Sequence, residues 1–275
     1  HGVSQAGGDE GMKSGSMHGY PSYGKAYVPL FVAGLIGVIA LVPTSVRQLQ
    51  NVPGLPDMPV AVLAALSMLQ PLILLAISVA VGTWLAPRVG LTSLVADKAT
   101  KGEPFWSRLR PQMPAAIVFG IAAAVILPLL DIFFQPWLPA SLAGGAPPRD
   151  LSFTISAMLY GGITEELLLR WGMMSLLAWL GWRLFQRGRE IPGAAVMVTA
   201  IVISALLFGI GHLGAVAVLA PLTPMLIIRT ILLNAVGGIL FGWLFWKHSL
   251  EAAMVAHAAA HVVMTLMALV LAALG

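Results

Sequence analysis

Residues 58–85 read MPVAVLAALSMLQPLILLAISVAVGTWL, a run without a single Asp, Glu, Lys, Arg or His. A helix rises ~1.5 Å per residue and a bilayer's hydrocarbon core is ~30 Å thick, so about 20 such residues cross it. Met58 to Leu85 is long enough to do so. Six further apolar blocks of comparable character lie around it, at Tyr27 to Pro43, Pro114 to Trp137, Leu151 to Leu180, Ala194 to Leu219, Pro224 to Trp246 and Ser249 to Ala273. The expected fold class is all-α, a polytopic membrane helical bundle of about seven transmembrane helices. The first block is the shortest. No small-x-small cleavage site follows it, so it reads as a helix rather than a signal peptide.

Composition agrees with this reading. Of 275 residues, 59% are hydrophobic and 9% charged, with a mean hydropathy of +0.91. A soluble surface needs roughly a quarter of its residues charged. A soluble enzyme, a disordered regulator and a nucleic-acid binder are thereby excluded. The absence of cysteine removes disulfides, thiolate nucleophiles and thiolate metal sites.

The fifteen Lys and Arg against eleven Asp and Glu report on topology rather than on phosphate binding. Eleven of the fifteen, Lys13, Lys25, Arg88, Lys98, Lys101, Arg108, Arg110, Arg183, Arg187, Arg189 and Lys247, fall before the first span or in alternate loops. The other set of loops holds Arg47 and Arg149, and Arg170 and Arg229 lie within spans. The positive-inside rule then puts the N-terminus in the cytoplasm and the C-terminus outside, in a plasma membrane. Three regions are expected: a flexible Gly/Ser-rich tail over 1–25, in part foreign if Met17 is the natural start; N-terminal membrane helices over 26–150, with a basic interfacial loop at 88–112; and a C-terminal helical core over 151–275.

An ionisable side chain in a span costs at least ~2.5–3.5 kcal/mol on insertion scales, so each needs a reason. Spans one and two carry none, and span three carries Asp131 near its outer end, whereas the interiors of the last four spans carry Glu165, Glu166, Arg170, His212, Arg229, His257 and His261. Glu166 and Arg170, four apart on one face, are expected to form an intrahelical ion pair. Glu165 points ~100° away from Glu166 and has no opposite charge within reach on its own helix, so its partner must come from another. Phe208 and His212 share a face of span five, where Gly209 and Gly211 are expected to admit a close neighbour. His257 and His261 share a face of span seven, separated by alanines; this is also a metal-ligand spacing. Arg229 is expected to snorkel outward, and Asn234 to hydrogen-bond across helices. One depth is hard to reconcile: His257 lies ~15 Å from Lys247, but His212 lies ~27 Å from the start of span five.

An acid without a local counter-charge and three imidazoles on neighbouring helices suit peptide hydrolysis. Glu165 would take a proton from water, His212 would share it or orient the water, and donors from span seven would stabilise the oxyanion. No serine at helical spacing from these histidines makes a triad; Ser204 lacks a nucleophile context.

The motifs Glu165-Glu166-xxx-Arg170, Phe208-xxx-His212 and His257-xxx-His261, in this order over Leu151 to Leu274, resemble those of the CPBP or ABI intramembrane endopeptidases, which include the CAAX prenyl endopeptidase. The resemblance implies that Glu165 and His212 activate water, that His257 and the residue four after it hold the oxyanion, and that Glu166 and Arg170 are structural. It implies no cofactor, and as partners the lipid bilayer and a membrane-embedded or lipidated peptide substrate, cut near the cytoplasmic leaflet. The chain departs from the family at His261, where the pattern has Asn or Asp. Two alternatives stay open at this stage. Glu165, His212, His257 and His261 are also a zinc-ligand set of suitable chemistry. The same cluster could serve a non-catalytic subunit of a larger membrane complex.

Overall fold

The computed structural model describes residues 20–50, 57–142 and 150–274. The expected tail therefore lies outside the described residues up to position 19. The elements are α1 (Tyr23–Leu49), α2 (Val60–Val89), the short α3 (Leu94–Lys101), α4 (Phe105–Trp137), α5 (residues 151–185), α6 (Ala194–Leu219), α7 (Pro224–Lys247) and α8 (Leu250–Leu274). The architecture is an all-α bundle. Among the described residues six helices, not seven, are long and apolar enough to cross a membrane, namely all but α3 and α5. The fourth predicted span, inside α5, accounts for the difference. It is wound as α over Leu151–Ser156, as π over Ala157–Glu165 and Leu167–Met174, and as α again over Ser175–Phe185, and it carries three charges in its middle.

The outer surface is apolar, as contact with lipid requires: Ile39, Ile73, Val118, Ile132 and Leu269 all stand exposed. α5 sits inside this wall, packed on α1, α2, α6 and α8. It runs antiparallel to α1, since Asp150 pairs with Arg47 at one end and Trp171 lies against Tyr20 at the other. Small residues set how closely it approaches. A methyl group at Gly37 would collide with Thr164 Oγ1 and the Leu159 carbonyl, and the Thr164 hydroxyl donates to the Gly34 carbonyl at 2.7 Å. Such small-residue crossings replace the hydrophobic drive that lipid removes.

Two departures from the sequence reading matter for the site. α1 does not stop at Pro43. It breaks at Leu41, where Pro43 removes an N–H donor and crowds the preceding turn, then resumes over Val42–Leu49. The segment between α2 and α4 is also more than a basic loop. α3 begins at the N-cap Ser93, and the Glu251 carboxylate of α8 closes its N-terminus, accepting from the Ser93 hydroxyl (2.6 Å) and from the Leu94 (2.8 Å) and Val95 (3.0 Å) amides. Two of the orphan amides at that helix end are thus satisfied by one buried acid, and a third, that of Ala96, by the Ser93 hydroxyl oxygen.

Candidate active site

The π-helical winding of α5 turns Ala157, Tyr160, Gly161 and Glu165 toward one side, where they line a cavity of about 810 Å³. Glu166, the next residue, is fully buried and stands outside the cavity lining. Two adjacent acids therefore occupy different environments.

Glu165 meets imidazoles from two other helices, as its lack of a local partner predicted. Its Oε1 lies 3.7 Å from His212 Nε2 of α6, and its Oε2 lies 3.9 Å from His257 Nε2 of α8. The depth mismatch between these histidines resolves to about one turn. Phe208, a turn before His212, already meets the His257 ring at 6.3 Å, and the carboxylate reaches across the remaining ~5.4 Å with one oxygen toward each ring.

The other ring nitrogens define tautomers. His212 Nδ1 lies 2.9 Å from the Phe208 carbonyl, which can only accept, so Nδ1 carries the proton. His257 Nδ1 lies 2.8 Å from Glu166 Oε1, a carboxylate oxygen that also stands 3.2 Å from Arg170 Nη1. It too is a donor. In the neutral rings, both Nε2 atoms that face Glu165 are then acceptors. Acceptors facing acceptors at 3.7–3.9 Å are too far apart for direct hydrogen bonds and suited to a bridging proton donor.

The expected Glu166–Arg170 ion pair forms, with both side chains buried. The Arg170 guanidinium also lies over the faces of Phe208 (5.1 Å) and Phe241 (5.7 Å), which lowers the cost of burying it. Phe241 in turn stacks on His257 at 4.6 Å, and His257 on His261 at 5.0 Å. His261 closes the cluster against Gly161, where an added Cβ would stand 2.8 Å from His261 Nε2 and 3.3 Å from His257 Nε2. All six site residues of the sequence reading thus come together, and Glu165, His212, His257 and His261 line the cavity.

The zinc alternative needs Glu165, His212, His257 and His261 to converge on one point. Among the described residues no group of three or more His, Asp or Glu side chains is arranged to hold a metal ion.

Three other expectations change. Arg229 pairs with Asp131 of α4 at 2.5 Å rather than reaching outward alone. Asn234 donates to the Thr230 carbonyl of its own helix (2.8 Å) rather than across helices, and it lines the cavity. Gly209 abuts the Ile231 backbone, whereas Gly211 faces open space. The sequence reading also missed Tyr160, along with Thr44, Ser45 and Gln48, all of which line the cavity. The amphipathic octapeptide VPTSVRQL beyond Leu41 was the available signal for the last three.

Comparison with known proteins bears on this same region. Residues 147–263 match the family model described as type II CAAX prenyl endopeptidase Rce1-like, a segment that contains every member of the cluster. No curated protein and no solved structure gives a match.

Proposed function

We propose that this protein is an intramembrane endopeptidase that hydrolyses a peptide bond of a membrane-associated or lipidated substrate, with residues 151–275 as its catalytic core. The observation that carries this reading is the Glu165 carboxylate at the cavity wall with an imidazole Nε2 at 3.7 and 3.9 Å from its two oxygens. A water bound between Glu165 Oε1 and His212 Nε2 would give one hydrogen bond to each. Both neighbours are acceptors, so its lone pairs would turn toward the cavity and the substrate carbonyl carbon.

In this mechanism Glu165, assisted by His212, removes the proton as the water oxygen attacks. His257 has Nδ1–H committed to Glu166, so its Nε2 is the position that receives the water's proton from the Glu165 oxygen facing it and, once protonated, donates to the oxyanion. His261, stacked on it, serves the same oxygen. Glu166 and Arg170 hold His257 in place. Collapse of the tetrahedral intermediate then returns a proton to the leaving amine. No metal takes part; stoichiometric zinc in the purified protein, together with chelator-sensitive cleavage, would overturn that feature. The match to a CAAX prenyl endopeptidase model supports the reaction class and the lipidated-peptide substrate class. The N-terminus is assigned to the cytoplasm and the C-terminus to the outside of a plasma membrane, on the distribution of Lys and Arg.

The test compares the termini of membrane proteins in cells expressing wild type or Glu165→Gln. The variant should lose the cleaved termini, with turnover reduced on the order of 10²–10⁴-fold, while accumulating in the membrane normally. Unchanged cleavage by the variant would eliminate the mechanism.

A further inference from the structure

The cavity is placed asymmetrically in the bundle. From Glu165 and His257 its lining runs to one end only, along the last turns of α1 (Gln48), the first turns of α5 (Ala157) and α7 (Arg229), and the late turns of α4 (Asp131) and α8 (Leu271). Toward the other end the space is filled. Trp171, Met174, Leu244, Phe245 and Leu250 are each at most 1% exposed, and beyond them α3 is locked onto Glu251.

The charges divide along the same axis. The filled end is the one that carries Lys25, the basic residues between α2 and α4, those between α5 and α6, and Lys247. At the open end the described basic residues are each tied to an acid, Arg47 to Asp150 and Arg229 to Asp131. Lys and Arg in short loops are retained on the cytoplasmic side.

We propose that the catalytic cavity opens on the non-cytoplasmic face, so that its substrate is a peptide segment of an exported or membrane-inserted protein presented at the outer leaflet. The substrate part of this inference rests on the peptidase reading; the sidedness does not. It reverses the expectation of cleavage near the cytoplasmic leaflet. That expectation came with the family resemblance, whereas the present assignment comes from where this chain's own cavity and charges lie.

The chain has no cysteine, so each introduced thiol is unique. Gln48→Cys at the cavity mouth, Ala157→Cys on its wall and Lys98→Cys at the filled end are reacted in spheroplasts with a membrane-impermeant maleimide, before and after lysis. A permeant maleimide applied after denaturation measures the total thiol and so shows that each variant is present. Gln48→Cys and Ala157→Cys should label to near completion in intact spheroplasts, and Lys98→Cys only after lysis. Labelling of Lys98→Cys from outside with Gln48→Cys protected would overturn the proposal. So would an Ala157→Cys that reacts only after lysis, or not at all short of denaturation. Labelling requires no turnover, so a protein with no peptidase activity would still give the expected pattern, and the two readings fail separately.

Discussion

Replacing Glu166 separates the two tasks of its carboxylate. Oε1 meets both His257 Nδ1 (2.8 Å) and Arg170 Nη1 (3.2 Å), while Oε2 has no hydrogen-bond partner. Arg170 is itself buried, with Glu166 as its acid and two aromatic faces as its other support. Glu166→Ala would leave a buried guanidinium without that acid, and breaking a buried pair from one side costs ~3–5 kcal/mol. Glu166→Gln keeps the volume and can place its amide oxygen where Oε1 stands, so both acceptor contacts survive and only the charge is lost. A hydrogen bond to a charged group contributes ~1.5–3 kcal/mol against ~0.5–1.5 for a neutral one, so weakening the His257 contact alone costs about 1–1.5 kcal/mol, and the Arg170 charge left without a counter-ion brings Gln toward, but not beyond, the cost of Ala. Denaturant titration in mild detergent measures both values. Initial rates on a peptide substrate add the functional half: kcat should fall for both variants with KM nearly unchanged, because His257 is held by Glu166 and the substrate is not. A Glu166→Ala protein within 1 kcal/mol of wild type and with unaltered kcat would refute the argument, since neither Arg170 nor His257 would then depend on this carboxylate.

Gly161→Ala would place a methyl group 2.8 Å from His261 Nε2, so that ring must retreat by about half an ångström in a closely packed site. Activity should drop about ten-fold with stability changed by less than about 1 kcal/mol, as read by kcat and by thermal unfolding in detergent. Asp131→Ala should lower the yield of folded protein, because it strands Arg229 in a span at a cost of ~2.5–3.5 kcal/mol. Adding Arg229→Ala should restore the yield, and a double variant as poor as the single one would show that the pair is not what Asp131 supplies.

What could be read from the sequence divides along a physical line. Features set by one helix's own periodicity were legible: the apolar spans, the i,i+4 contacts of Glu166 with Arg170 and of Phe208 with His212, and the stacking of His257 on His261. Glu165 was legible as a group in need of a distant partner, because nothing on its own helix could satisfy it. Which partners it finds was not, since that depends on helix levels, and an error of one turn in a span boundary moves a side chain by ~5.4 Å.

The π-helical winding of α5 was hidden for a different reason. An i→i+5 bonding pattern leaves no compositional mark, yet it is what brings Tyr160 and Glu165 to the same wall. Glu251 illustrates a third case. In sequence it is one acid at the start of an apolar block; in space its two oxygens accept from the Ser93 hydroxyl and the Leu94 and Val95 amides. That acid ties the N-terminus of α3 to α8 at the end of the bundle away from the cavity, a contact between distant segments that no motif or local periodicity announces.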